Sequence, residues 1–343
     1  MRTRTAMLST VFVIWSAAAL AAGMVAQPMA APLPSSPPAV DPARLHAHVK
    51  KLSVDFYPRS GDQTDKLNQA ADYIAAEMKA AGATVTFQTI LIEGESYRNV
   101  IARFGPEKGP LMVIGAHYDS HGMPGRALNS KGYSPQTHTP GADDNASGVA
   151  GLIELARLLA DKPPARPIEL VAYTLEEPPY YRTGDMGSVH HAQLLRSTGR
   201  EVSMMLSLEM IGYFTDEPGS QSYPAPGMRQ LYSDKGDFIA LVNKFEGFGA
   251  TRAIKKIMAG ATDLPVHSIN APRSVPGIDF SDHRSYWDAG MPAMMITDTA
   301  FMRNREYHQA GDTHDRLDYV RMAKVVQAVY AVTVHFQAPA SKK

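Results

Sequence analysis

Hydrophobic positions along the chain fall into two kinds of pattern. Some recur every three to four residues and predict helices; others alternate or run unbroken and predict strands. Over 63–81, Leu67, Ala70, Ala71, Ile74, Ala75 and Met78 keep helical spacing, and Gly82 ends the element. The same reasoning predicts helices at 42–51, 149–159, 188–197, 238–245 and 317–336. Alternation predicts a strand at 85–92, followed by two more at 99–104 and 111–116. Apolar runs at 168–174, 202–208 and 291–297 predict further strands, with Met204, Met205, Met294 and Met295 as core filler. Strands and helices therefore alternate. The implied fold class is α/β, a three-layer sandwich whose mostly parallel central sheet is covered by helices on both faces. Three stretches, 121–140, 213–236 and 262–279, are loop-rich, and long loops often line a site.

The N-terminus follows a different pattern. Arg2 and Arg4 precede an uncharged run at 8–26 that ends in small residues. Residues 1–26 are read as a signal peptide, with an uncleaved anchor as the alternative. Residues 27–40, rich in Pro, Ala and Ser, are read as a linker, and 41–343 as one domain. An exported protein, periplasmic or secreted, is expected. It would have no stable membrane association once the signal is removed.

Lys plus Arg equals Asp plus Glu, at 34 each, so no basic excess points to nucleic acid. Removing 1–26 takes away two arginines and no acid, giving 32 − 34 = −2. There are no cysteines. Disulfides are excluded, and any zinc must be held by His, Asp or Glu. Structural zinc usually uses Cys, so such a site would be catalytic.

Candidate ligands gather at strand ends. The strand at 111–116 runs into His117 and Asp119, and the strand at 168–174 into Glu176 and Glu177. The strand at 202–208 runs into Glu209. Asp143 and Asp144 open the helix at 149–159, and the strand at 291–297 leads to Tyr307 and His308. In a parallel sheet, ligands bind at the carboxyl ends of the strands. Each piece alone has a plainer reading: paired acids at a helix start are usually caps, and a lone histidine is usually structural. All five segments at one sheet edge form a zinc-like set.

These pieces, together with Ser281-Asp282-His283, occur in an order that resembles the co-catalytic di-zinc aminopeptidase family of bacterial leucyl aminopeptidase type. Glutamate-carboxypeptidase-like and glutaminyl-cyclase-like proteins are its relatives. The resemblance covers residue 45 to the C-terminus and implies two zinc ions per chain and peptide substrates. It implies that Asp144 bridges the metals, with His117 and Glu209 completing one site and Glu177 and His308 the other. Glu176 would be the general base, Asp119 would orient His117, Asp282 would support the site from behind, and Tyr307 would stabilise the oxyanion. Familiar members carry Asp where this chain has Glu209. The expected activity is removal of N-terminal residues from peptides. Carboxypeptidase-like, dipeptidase-like or cyclising activity is the alternative, as is a metal-free binding ectodomain. A substrate carboxylate would need a convergent cation, for which Arg126, Arg182, Arg273 and Arg303 are candidates. His190 and His191 are read as helix surface or packing, and His121, His138 and His267 as loop residues that could contact substrate.

Overall fold

The computed structural model describes residues 23, 25–27, 30–122, 138–224 and 227–337. Most of the predicted signal peptide, Arg126 and most of the 121–140 loop lie outside the described residues.

The elements in order are α1 Pro42–Lys50, α2 Thr64–Ala80, β1 Thr84–Ile92, β2 Glu95–Phe104 and β3 Leu111–His117. They continue with α3 Gly148–Asp161, β4 Ile168–Tyr173, α4 Gly187–Ser197, β5 Val202–Glu209 and β6 Ile239–Asn243. The last are α5 Phe248–Ala261, β7 Val266–Asn270, α6 His283–Asp288, β8 Ala293–Thr297 and α7 Tyr319–His335. One eight-stranded sheet has the order β1-β2-β4-β3-β5-β8-β6-β7. The four central strands, β4, β3, β5 and β8, are parallel neighbours, while β1, β2 and the β6–β7 pair join through antiparallel contacts.

Strand periodicity distributes side chains between two cores. On β3, Met112, Ile114 and Ala116 pack with α1, α2, α3, α5 and α7, whereas Leu111 and Val113 face α4 and α6. All seven residues of β3 are buried, which explains why its sequence shows no polar alternation.

Two expectations fail on the C-terminal side. The helix predicted at 238–245 is strand β6, pairing antiparallel with β8 and parallel with β7. A short apolar run has no period of its own, and here partners on both edges draw it into the sheet. The loop predicted at 262–279 contains β7, and α5 was not anticipated. Residues 30–40, read as linker, run along α5: the amides of Leu33 and Ser35 donate to the carbonyls of Lys256 and Gly260, at 2.8 and 2.9 Å. Lys255, buried, donates its Nζ to the carbonyls of Ala26 and Gln27 at 2.8 and 3.1 Å. Burial lowers its pKa to about 8. Among the described residues, no helix is long and apolar enough to cross a membrane.

Candidate metal centre and active site

Strand order decides which side chains meet. Because β4 and β5 flank β3, the carboxyl ends of these three strands bring Glu176, Glu177, His117 and Glu209 to one edge. The turn before α3 supplies Asp144. Asn145 ties that turn to the end of β5: its Nδ2 donates to the Leu208 carbonyl at 2.8 Å, and its Oδ1 accepts from the Met210 amide at 3.0 Å. The loop after β8 adds His308, held at φ 58°.

Asp144 lies at the centre. Its Oδ1 is 3.3 Å from His117 Nε2, and its Oδ2 is 3.1 Å from His308 Nε2. Each histidine faces a second carboxylate, with Glu209 Oε2 at 3.4 Å from His117 Nε2 and Glu177 Oε2 at 3.2 Å from His308 Nε2. Two compact donor groups result, His117–Asp144–Glu209 and His121–Glu177–His308, each able to hold a cation. Asp143 turns away, accepting from the Gly212 amide and the Asn304 side chain, both at 3.0 Å.

Supporting contacts orient these donors. His117 Nδ1 lies 3.1 Å from the Asp119 carbonyl and 3.4 Å from Asp119 Oδ1, so both neighbours are acceptors and Nδ1 carries the proton. Nε2 then points its lone pair at two carboxylates, an arrangement that only a proton or metal cation between them makes favourable. The Asp119 carboxylate also accepts from the Glu177 amide at 2.9 Å. Ser281 donates to Glu209 Oε2 at 2.7 Å, fixing the longer side chain that stands where Asp is more familiar. Asp312 accepts from the amides of Asp143 and Asp144, each at 3.0 Å, and burial raises its pKa to about 8.

Asp119, Asp144, Glu176, Glu177, Glu209 and Asp282 are among the carboxylates buried here. Burial would lower the pKa of His308, but Glu177 and Asp144 outweigh it and raise it to about 10. The same contest, won by Glu209, Asp119 and Asp144, raises His117 well above the ordinary value. Burial pushes Glu176 up strongly; His117 opposes this, while Glu209, Asp282 and Glu177 add to it. Asp282 belongs to neither donor group, and burial lifts it to about 7. This density of negative charge, in nitrogen and oxygen donors without sulfur, suits divalent zinc.

Tyr307 stacks on His308 with ring centroids 3.7 Å apart, and together with Glu209 it borders an apolar pocket. Met228, Ala240, Ile278, Phe280, Phe301 and Met302 are among its lining residues. His267 also lines it, held edge-on to Phe238, and burial lowers its pKa to about 4. His138 pairs with Asp62 at 3.0 Å, while His191 is buried against Glu169 and the Tyr286 hydroxyl. His190 is half-buried on the same helix, and His283 bonds to the Ile278 carbonyl. Arg303 is buried and committed to Gln221 and the carbonyls of Tyr213 and Phe238, so it cannot receive a substrate carboxylate. Arg182 and Arg273 both pair with Asp279. The sequence reading missed Ser281, Asn145 and Asp312 as supports. It gave His121 no metal-site role, although 117, 119 and 121 alternate along one segment.

Known proteins agree with this architecture. The model of Peptidase family M28 matches residues 99–333. The protein YfbL of Escherichia coli, of uncharacterised function, is 50% identical over 303 residues, covering 88% of this chain and 91% of its own. Leucine aminopeptidase 1 of Paracoccidioides brasiliensis is 26% identical over 65% of this chain, which spans about half of that protein (51%). A glutaminyl cyclase structure from Bacteroides thetaiotaomicron superposes with a TM-score of 0.65 at 20% identity, covering 88% of this chain and 100% of that one. At that identity the likeness shows the fold alone. The family match and two sulfur-free donor groups make the chain a zinc metallo-exopeptidase, a hydrolase. The chain belongs to peptidase family M28.

Proposed function

We propose that this chain is an aminopeptidase that works with two zinc ions, one held by His117, Asp144 and Glu209 and the other by Asp144, Glu177 and His308. The observation that carries this reading is Asp144, whose two carboxylate oxygens each face a different histidine. When bound, such a pair of ions lowers the pKa of water toward about 7 and polarises a carbonyl.

The chain's own groups do the rest. Glu176 lies beside the donors without an ion pair of its own among the described residues. Its raised proton affinity suits a carboxylate that takes a proton from the attacking water and holds it on Oε. It then delivers that proton to the leaving amine. Tyr307 donates its hydroxyl to the carbonyl oxygen as negative charge develops there. The surrounding carboxylates attract the free α-ammonium of the substrate. The apolar pocket beside Glu209 and Tyr307 receives the first side chain, favouring Leu, Met or Phe over charged residues. The N-terminal segment exports the chain to the periplasm or medium, which cell fractionation and N-terminal sequencing of the mature protein would test.

Chromogenic anilides of apolar amino acids should be hydrolysed, N-blocked peptides spared, and activity lost to a chelator and restored by zinc. Ammonia release from N-terminal glutaminyl peptides without hydrolysis would replace this reading with a cyclase. Turnover of N-blocked peptides from their C-terminus would replace it with a carboxypeptidase.

A further inference from the structure

His121 lies in the donor set around Glu177 and His308, yet the two-metal scheme gives it no role. Its Nδ1 is 3.3 Å from Glu177 Oε2, and its ring lies on that of His308 with centroids 4.0 Å apart and planes 11° from parallel. Nearness to two donors suggests a further metal ligand. The stacking argues otherwise. An imidazole nitrogen binds a metal close to its own ring plane, where the lone pair lies. With the two rings stacked, the in-plane lone pairs of His121 and His308 lie in separate, nearly parallel planes and could not both meet one ion well.

We infer that His121 is a positioning residue that holds Glu177 and His308 in place for the second metal. A carboxylate only accepts, so Nδ1 of His121 donates to Glu177 Oε2 and leaves Oε1 for other contacts. Oε1 is buried and has no hydrogen-bond partner among the described residues, so the bond from His121 leaves one oxygen of Glu177 uncommitted. Glu177 is thus braced twice, at its backbone amide by Asp119 and at its carboxylate by His121. The flat face of His121 limits rotation of the His308 ring. His121 is itself anchored, because its carbonyl accepts from Thr139, from the amide at 2.9 Å and the hydroxyl at 3.0 Å. Residues 117, 119 and 121 therefore place a metal donor, its orienting acid and a brace for the neighbouring site on one short segment. Supports of this kind typically change metal affinity by about 10–100-fold.

The inference rests on the two-metal reading, and one experiment separates them. Metal-free wild type, His121→Phe and His121→Asn are titrated with zinc against a chromophoric chelator, and thermal unfolding of each metal-free protein checks the fold. Wild type should bind two equivalents. His121→Phe keeps a flat ring but loses the donor. It should bind one equivalent as wild type does and the other about 10–100-fold more weakly. His121→Asn keeps a donor and should fall between them. Wild-type affinity for both equivalents in His121→Phe would overturn the role of His121 while leaving the two-metal site intact. Equal weakening of both equivalents would overturn its specificity for the Glu177–His308 position. Fewer than two equivalents in wild type would overturn the two-metal reading and this inference together.

Discussion

Glu176→Gln should separate catalysis from stability. Gln matches Glu in shape but cannot accept the proton of the attacking water. Loss of a general base costs about 10²–10⁴ in rate, equivalent to about 3–5 kcal/mol of barrier. The effect on the metal-free protein should have the opposite sign. Burial raises the Glu176 pKa well above 4.5, with Glu209, Asp282 and Glu177 adding repulsion. The folded chain therefore keeps a proton that the unfolded chain releases above about pH 4.5. The stability contributed by that proton is full below this pH and is lost as pH rises toward the folded value. Gln has no such proton to lose. The variant should gain on wild type as pH rises, by about 1.4 kcal/mol for each unit of the raised pKa. Two assays suffice: steady-state hydrolysis of a leucine anilide with zinc content measured, and thermal unfolding of both metal-free proteins between about pH 5 and pH 8. Near-normal turnover with two metals bound would remove Glu176 as the base. A metal-free variant less stable than wild type at about pH 8 would refute the electrostatic reasoning.

Three other outcomes follow from the geometry. Zinc uptake near pH 7 should release protons, because His308 (raised to about 10) and His117 are both protonated in the metal-free chain. Calorimetry in buffers of different ionisation enthalpy reads that release, and its absence would show that these histidines are neutral before binding or are not ligands. Ala240→Phe, on β6 in the pocket wall, should lower kcat/KM for leucine and phenylalanine substrates by about 10-fold or more relative to alanine substrates; an unchanged ratio would move the side-chain pocket elsewhere. Arg59→Met should destabilise the fold by at least about 3 kcal/mol in denaturant unfolding. The buried guanidinium donates to the carbonyls of Leu52, Tyr118, Pro140 and Gly141, and Met would leave all four without that donor.

The strands β3, β4 and β5 are legible because burial on both faces makes their sequences continuously apolar, and their ends are legible because His and acids follow at once. The fold class could be read from this alternation. The β6–α5–β7 region could not. The apolar run 238–242 carries no period that separates helix from strand, and its pairing partners β7 and β8 are distant in sequence. Gly247 and Gly249 at the start of α5 also weaken a helical signal that Ile254, Ile257 and Met258 do carry.

By itself, the sequence determined the chemical inventory: His, Asp and Glu donors without cysteine, arriving in the order of one peptidase family. Only the tertiary structure decided how those donors divide. It turned Asp144 toward two histidines and Asp143 toward Gly212 and Asn304. It set His121 against His308, placed Ser281 behind Glu209, and buried Arg303 away from any substrate. Ligand type is a property of side chains and can be read along a chain. Which oxygen faces which nitrogen depends on strand order and on backbone hydrogen bonds between segments tens to hundreds of residues apart, and those distances exist only in the folded molecule.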